Sequence, residues 1–168
     1  MARPIYGGFM PGLLLIAPTG SGKTTTLKTD SFFHEHALDG DNFANYSGKK
    51  SATDDAFWKK RDRENLTAVV DKMRRTGKCV LWYVGTTAVS DAIADNRLDA
   101  AEVVVVLIPE AEHLDRVIKR DKPGHGPERA LEHRALCESL IQQHGLRQFA
   151  SFLEAKEWLS VNNILGVK

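Results

Sequence analysis

One stretch of the sequence carries most of the information about the fold: it reads Ala17-Pro18-Thr19-Gly20-Ser21-Gly22-Lys23-Thr24 and directly follows the apolar run Leu13–Ile16. A continuous apolar run of this length is typical of a strand that is buried on both faces of a parallel sheet. Gly20 and Gly22 allow the backbone to fold tightly and to direct several N–H groups at one anion. A helix that begins directly afterwards would point its positive end at the same anion. The stretch therefore predicts a strand, a phosphate-binding loop and a helix in succession.

The loop fits the Walker A pattern of nucleotide-binding proteins, with Ala17 where the first glycine is usual. In that pattern the amine of Lys23 bridges the β- and γ-phosphates, and the hydroxyl of Thr24 ligates Mg²⁺. Thr25 is placed to contact the α-phosphate. A glycine-rich turn with a surface lysine is the alternative, but the flanking strand and helix argue against it. We therefore expect a nucleotide and Mg²⁺ to be bound by Thr19, Gly20, Ser21, Gly22, Lys23, Thr24 and Thr25.

Short apolar runs alternate with longer helical patterns along the rest of the chain, which is typical of a parallel α/β sheet. After the first strand, we expect strands at residues 36–38, 79–84, 103–108 and 164–167. Helices are expected at residues 22–28, 54–75, 90–95, 110–120, 127–144 and 152–159, with Ser90 and Ser151 as N-caps. Apolar stripes on two of these helices consist of Leu66, Val69, Val70 and Met73 and of Leu114, Val117 and Ile118. The expected fold class is α/β, a three-layer doubly wound parallel sheet of about five strands in a P-loop NTPase or kinase fold.

Length and charge limit the possible classes of function. The 168 residues fit one domain, and 23 Lys and Arg against 22 Asp and Glu leave a formal charge of +1. This balance excludes a generally basic nucleic-acid-binding surface but not a local basic groove. No apolar run is long enough to cross a bilayer, and the N-terminal residues lack a signal-peptide layout. Cys79 and Cys137 stand in apolar surroundings and should stay reduced. We therefore expect a cytoplasmic protein with neither a membrane nor an obligate protein partner, and no structural metal.

Missing motifs disfavour three classes of nucleotide-dependent protein. Motor ATPases have an acidic residue at the end of an apolar strand, and neither of the two strong later strands ends in this way. GTPases have an Asn-Lys-x-Asp string that reads guanine, and transporter ATPases have a Leu-Ser-Gly-Gly string; the sequence contains neither. The acid that Mg²⁺ requires must therefore come from another part of the chain.

An acidic pair follows the expected second strand, in the string Asp39-Gly40-Asp41-Asn42. Alone, this string would be read as a tight turn. Together with the phosphate-binding loop, it resembles the P-loop small-molecule kinases: the adenylylsulfate kinases, which have a similar string, and the shikimate, gluconate and nucleoside or nucleotide kinases. The resemblance covers about the first half of the chain. It implies an ATP-dependent kinase that transfers the γ-phosphate of Mg-ATP to a hydroxyl, with Asp39 holding a Mg²⁺-bound water and Asp41 facing the acceptor as the base.

A cationic segment in the second half of the chain predicts a short lid at residues 119–134. Arg116 and Arg120 are one helical turn apart and share a face, and the string Asp-Lys-Pro-Gly-His-Gly-Pro follows at residues 121–127. Arg129 and Arg134 come next. We expect Arg116 and Arg120 to stabilise the transferring phosphate and Arg129 to contact the nucleotide. The alternative is a solvated, charged helix surface.

Aromatic and cationic residues are interleaved after Asp41, and such residues can stack on a base and follow a phosphate backbone. They can also pack locally under the edge of the sheet. The candidate acceptor residues are Asp41, Asn42, Phe43, Tyr46 and Thr86, with Phe57 and Trp58 nearby in sequence.

Two kinds of acceptor therefore remain open. One is a small molecule, such as a nucleoside or nucleotide. The other is 5-hydroxymethyluracil in DNA, because the chain also resembles the compact P-loop kinases that bacteriophages use in thymine hypermodification. A non-catalytic nucleotide-binding regulator or a simple ATPase is the alternative of a different class, and the acidic pair argues against it.

Overall fold

The computed structural model describes residues 12–47, 55–82, 86–120 and 126–161. The strands are β1 (Leu13–Ile16), β2 (Ala37–Asp39), β3 (Cys79–Trp82), β4 (Val103–Val106) and β5 (Arg147–Phe149). The helices are α1 (Lys23–Thr29), α2 (Ser31–His36), α3 (Asp55–Thr76), α4 (Thr86–Ala94), α5 (Glu110–Arg120), α6 (Pro127–His144) and α7 (Phe152–Val161). Short 3₁₀ turns lie at Gly40–Asn42 and Ala100–Glu102.

The five strands form one parallel sheet in the order β2-β3-β1-β4-β5. Leu14 in the central strand lies opposite Val80 of β3 and Val103 of β4. The carboxyl end of β1 therefore lies between the carboxyl ends of β3 and β4, in the middle of the sheet. This is the usual position of a ligand in an open α/β sheet.

The sheet is the middle of three layers, because successive side chains of a strand point to opposite faces. Leu14 and Ile16 face one core, which α3, α4 and α6 cover with Leu66, Val69, Val70, Met73, Val89, Ala92, Cys137 and Leu140. Leu13 and Leu15 face the other core, which α2 and α7 cover with Phe33, Phe152, Ala155 and Leu159. The expected fold class is confirmed.

The structure confirms the predicted bounds of two helices and one predicted N-cap. Helices α5 and α6 have the predicted bounds, and α6 begins with a proline, whose fixed φ suits the first turn. Ser151 caps α7, since its hydroxyl accepts a 3.1 Å hydrogen bond from the amide of Glu154. Cys79 and Cys137 are buried thiols and are not joined in a disulfide bond.

The short elements differ from the prediction. The second strand begins at Ala37 rather than at residue 36, because His36 ends helix α2, which the sequence did not predict. Asp30 starts α2 by accepting hydrogen bonds from the amides of Phe32 and Phe33. Ser90 is not an N-cap: α4 already begins at Thr86, and the hydroxyl of Ser90 lies 2.8 Å from Nε2 of His144.

Strand β4 ends at Val106, two residues before the predicted end, although the amide of Leu107 still donates to the carbonyl of Phe149 at 2.9 Å. Strand β5 was not predicted. The strand expected at residues 164–167 and the last two residues of the strand expected at 79–84 lie outside the described residues. Within the ranges that the structure describes, every helix is too short or too polar to cross a bilayer.

Candidate active site

The phosphate-binding loop connects β1 to α1 and adopts the backbone conformation that its glycines permit. Gly20 and Gly22 have φ angles of 83° and 97°, in the left-handed region that other residues rarely adopt. Gly20 is also pressed against helix α5, since a Cβ atom there would lie 2.4 Å from Cγ2 of Val117. The hydroxyl of Ser21 folds back onto the carbonyl of Pro18. The loop is therefore a tight turn that is held from one side by α5.

Lys23 lies at the start of α1 and turns back over the loop. Its Nζ donates hydrogen bonds to the carbonyls of Ala17 and Pro18, at 2.7 and 3.0 Å. Removal of the ammonium group from water lowers the pKa of Lys23 to about 8, and the negative charges of Asp41 and Asp39 oppose this shift. The amine and the acidic pair are therefore close enough to interact electrostatically.

Helix α5 holds the loop by two polar side chains. Nη1 of Arg116 donates to the carbonyl of Ser21 at 3.0 Å, while its Nη2 pairs with Glu112 at 2.6 Å. Nε2 of His113 lies 2.7 Å from the carbonyl of Thr19. Because a carbonyl oxygen only accepts, Nε2 of His113 carries the proton. Burial lowers the pKa of His113, so the ring is neutral at pH 7.

Helix α6 reaches the same loop residue from a second direction. Nδ1 of the buried His133 lies 3.1 Å from the hydroxyl of Thr19. The sequence did not predict either histidine contact. The expected stripe on α5 was incorrect at Ile118, which is 62% exposed, whereas His113 is buried. A histidine placed one turn before Val117 was the available signal, since it lies on the apolar face.

A cleft of about 550 Å³ opens beside the loop and brings together several predicted residues. It is lined by Gly20, Gly22, Thr25, Thr26, Ile108, Glu112, Arg116, Arg120, Ala150, Ser151, Phe152 and Leu153. The segment after β5 thus forms one wall, which the sequence did not predict.

The lid arginines do not all lie at this cleft. Arg129 is exposed in the first turn of α6 and is not among the residues that line the cleft. Nη1 of Arg134 donates to the carbonyl of Ile108 at 2.5 Å, so Arg134 holds the segment between β4 and α5. Residues 121–125, the centre of the expected lid, lie outside the described residues.

The acidic pair forms a compact turn at the end of β2. Oδ1 of Asp39 accepts a hydrogen bond from the amide of Asp41 at 3.0 Å. Oδ1 of Asp41 accepts from the hydroxyl of Tyr46 at 2.9 Å and from Nε1 of Trp82 at 3.0 Å. Gly40 lies against the indole ring, where a Cβ atom would be 2.3 Å from Cγ of Trp82. The turn is therefore fixed by close packing as well as by hydrogen bonds.

The two predicted metal residues share a second, smaller cavity of about 240 Å³. It is lined by Thr24, Leu27, Lys28, His34, Ala37, Leu38, Asp39 and Asn42. A threonine hydroxyl and a carboxylate are oxygen ligands of the kind that Mg²⁺ prefers, and Mg²⁺ keeps several waters in such sites. Thr24 and Asp39 therefore fit a bound Mg²⁺.

The aromatic residues after the acidic pair largely contact other parts of the chain. Phe43 packs against the core, and Nζ of Lys72 lies 5.3 Å from its ring centroid. Phe57 and Trp58 meet edge to face, with ring centroids 5.1 Å apart. Thr86 is the first residue of α4. The positions of Phe43, Phe57 and Trp58 favour local packing of their rings over stacking on a base.

Asp62 is a further acidic residue that the sequence did not single out. It lies on α3 and is half-buried, and burial raises its pKa. Its charge contributes to the raised pKa of Tyr46, so the two side chains are close enough to interact electrostatically. Acidic groups with perturbed pKa values are enriched in active sites.

Comparisons with known proteins support the fold. No family model and no curated protein sequence matches the chain. Among solved structures, the tunicamycin resistance protein of Deinococcus radiodurans is similar over 95% of this chain and 97% of its own, with a TM-score of 0.54 and 14% identity. A gluconokinase from Sinorhizobium meliloti 1021 matches over 74% of this chain and 75% of its own, with a TM-score of 0.44 and 15% identity. At 14% identity the first likeness concerns the fold alone, and it agrees with the five-stranded parallel α/β sheet described above.

Proposed function

We propose that the protein is an ATP-dependent kinase that transfers the γ-phosphate of Mg-ATP to the hydroxyl of a small, nucleoside- or nucleotide-like molecule. The observation that carries the proposal is a carboxylate, that of Asp41, which is fixed by hydrogen bonds and interacts electrostatically with Lys23. Its carboxylate is close enough to Lys23 to influence the pKa of the amine, and one of its oxygens is fixed by Tyr46 and Trp82. A protein that only binds a nucleotide does not need a carboxylate held in this way.

The reaction uses each group for one task. Lys23 and the amides of the loop bind the phosphates, and Thr24 and Asp39 hold Mg²⁺, which neutralises phosphate charge when bound. Arg116 and Arg120 line the larger cleft beside the loop, where their positive charge would stabilise the transferred group. The acceptor oxygen forms a bond to the γ-phosphorus while the bond to the β-phosphate oxygen breaks. Asp41 takes the acceptor proton, and ADP leaves.

A small acceptor is favoured over a base in DNA by the packing of the aromatic residues. Phe43 is engaged by Lys72 and the core, and Phe57 by Trp58 and by Arg61, whose Cζ lies 5.3 Å from the ring centroid. These rings would have to leave their partners to stack on an extruded base. Hydroxymethylated DNA is therefore a second acceptor class to be decided by the test.

The test uses ATP labelled on the γ-phosphate and three separate acceptor pools: nucleosides and other small metabolites, unmodified DNA, and DNA with 5-hydroxymethyluracil. We expect label in the small-molecule pool. Transfer to the modified DNA alone would assign the acceptor to DNA. Label found only in free phosphate would contradict the kinase proposal and would favour a simple ATPase, while unchanged ATP in every pool would favour a nucleotide-binding regulator.

A further inference from the structure

Trp82 connects the two halves of the candidate site. It is the last residue of β3 and only 2% exposed. Its backbone carbonyl accepts a 3.2 Å hydrogen bond from the amide of Ala17, where the phosphate-binding loop begins. Its indole ring supports Gly40, and its Nε1 lies 3.0 Å from Oδ1 of Asp41. One buried residue therefore contacts both the start of the loop and the acidic turn.

The direction of the hydrogen bonds around Asp41 follows from the chemistry of the donors. An indole N–H can only donate, so Nε1 of Trp82 donates to the hydroxyl oxygen of Tyr46 at 3.1 Å as well as to Asp41. The tyrosine proton is then directed to Oδ1 of Asp41, at 2.9 Å. Oδ1 receives two hydrogen bonds, whereas Oδ2 has no hydrogen-bond partner among the described residues. The network thus distinguishes the two oxygens of one carboxylate.

The segment that carries Tyr46 is itself fixed. The buried Asn65 of α3 accepts from the amide of Asn45 at 2.8 Å and donates to the carbonyl of Asn45 at 3.3 Å. Burial raises the pKa of Tyr46, and the adjacent carboxylate of Asp41 adds to this, so the hydroxyl keeps its proton over the physiological range. Tyr46 is therefore a permanent donor held at a fixed distance from Asp41.

We propose that Trp82 and Tyr46 are positioning residues for phosphoryl transfer: they hold Oδ1 of Asp41 so that Oδ2 faces the acceptor hydroxyl and receives its proton. This inference rests on the proposed kinase function. Neither residue touches the reacting atoms, and both act through the carboxylate. A base that is held in one orientation contributes more than a mobile one, because the reactive geometry does not have to be found in each turnover.

The network itself can be tested without an acceptor. The chain has three tryptophans, and their indole N–H groups give three signals in a ¹H–¹⁵N spectrum, of which Trp82→Phe removes and thereby assigns one. Tyr46→Phe and Asp41→Asn should each shift the Trp82 signal and leave those of Trp58 and Trp158 in place. An unmoved Trp82 signal in both variants would overturn the proposal.

The positioning role is tested on the acceptor that the labelled-ATP experiment identifies. Loss of a hydrogen bond to a charged group should lower kcat about tenfold in Tyr46→Phe, and at least as much in Trp82→Phe, with KM for ATP changed less than about twofold. Trp158→Phe is the matched control, because Trp158 lies on α7 against Phe149 and Arg147, and its kcat should stay at the unmodified level.

A double variant tests whether Tyr46 affects kcat through Asp41. In an Asp41→Asn background, Tyr46→Phe should change kcat by less than about twofold, since residues acting through one group are not additive. A further tenfold loss of kcat in the Asp41→Asn background, or an unchanged kcat in Tyr46→Phe itself, would overturn the positioning role but would not contradict the kinase function.

If the unmodified protein transfers no label, the proposed function fails and the positioning role fails with it, even where the indole signals move as expected. Tyr46 is partly exposed, so Tyr46→Phe keeps the test valid where Trp82→Phe does not fold.

Discussion

The imidazole of His113 donates a 2.7 Å hydrogen bond from Nε2 to the backbone carbonyl of Thr19, inside the phosphate-binding loop. His113 is 1% exposed, and His133 contacts the hydroxyl of the same threonine from α6. The shape of the loop therefore depends on helices that lie far along the chain, as well as on its own glycines.

This contact predicts a loss of stability in mild acid. The pKa of His113 is lower in the folded chain than its usual 6.5, because the ring is buried and is near the cations Arg134, Lys23 and Arg116. Below pH 6.5 the unfolded chain takes up a proton that the folded chain does not, so the free energy of unfolding falls as the pH falls. The decrease is at most about 1.4 kcal/mol per pH unit, until the folded pKa is reached.

Urea denaturation between pH 5 and 7.5 measures this decrease, with the slope compared in two variants. His113→Gln should flatten the pH dependence, and His34→Gln, at an exposed histidine, should retain it. An equal slope in all three proteins would show that another group is responsible.

The lowered pKa of Lys23 predicts that nucleotide binding weakens in alkali. The free protein loses the lysine proton near pH 8, whereas bound phosphate favours the charged amine. Binding therefore takes up a proton above pH 8, and the Kd for ATP should rise by up to about tenfold per pH unit. The phosphates themselves titrate near pH 6, outside this range.

Calorimetry between pH 7 and 9.5, in buffers of different ionisation enthalpy, reports both the Kd and the proton uptake. Lys23→Arg supplies the control, since arginine stays charged throughout and the alkaline trend should vanish. A Kd independent of pH in the unmodified protein would contradict the assignment of this amine to the phosphates.

Gly20 offers a prediction with a matched control elsewhere in the chain. Gly20 and Gly145 both have a positive φ, of 83° and 62°, but only Gly20 has a neighbour in the way of a Cβ atom. Gly145→Ala should cost about 1 kcal/mol of stability from backbone strain alone. Gly20→Ala adds the clash with Val117 and should cost about 2 kcal/mol or more, with loss of ATP binding.

Thermal unfolding and ATP titration of the two variants provide the comparison. Val117→Ala in the Gly20→Ala background removes the clashing methyl group and should recover part of the binding. Equal costs for the two alanines would mean that contact with α5 does not hold the loop.

Substitution of Asp41 should affect phosphoryl transfer and ATP binding to different extents. Asp41→Asn keeps the size of the side chain but removes the base, so transfer should fall by about 10²- to 10⁴-fold while the Kd for ATP changes less than about threefold. Asp71→Asn removes an exposed carboxylate that pairs with Arg75 on α3, and its turnover should match the unmodified protein. Retained turnover in Asp41→Asn would exclude this residue as the base.

The sequence predicted those parts of the molecule that have a local signal. Strand β1 is a continuous apolar run, and helix α6 has a proline at its start and a glycine after its end. Strand β5 has three residues, two of them exposed, and helix α2 has six, so neither has a periodic pattern to recognise.

The same distinction applies to the site. The phosphate-binding loop and the acidic pair are contiguous strings, whereas His113 and His133 reach Thr19 across 94 and 114 residues. Trp82 lies in an apolar strand, and its indole contact with Asp41 spans 41 residues. The local sequence can indicate that a side chain is buried, as for His113 on the apolar face of α5, but the partner of such a contact is set by the packing of the whole chain.

The strand order has a consequence for how such a protein can change over time. With β1 in the middle, the larger cleft opens toward α5 and the segment after β5, while the smaller cavity opens toward α1, α2 and β2. Among the described residues, the two linings have no residue in common and meet at α1, where Thr25 and Thr26 line the cleft and Thr24 and Leu27 line the smaller cavity. Substitutions in one lining can therefore accumulate without changing the other, so a descendant could change what one cavity binds while it keeps the other cavity intact.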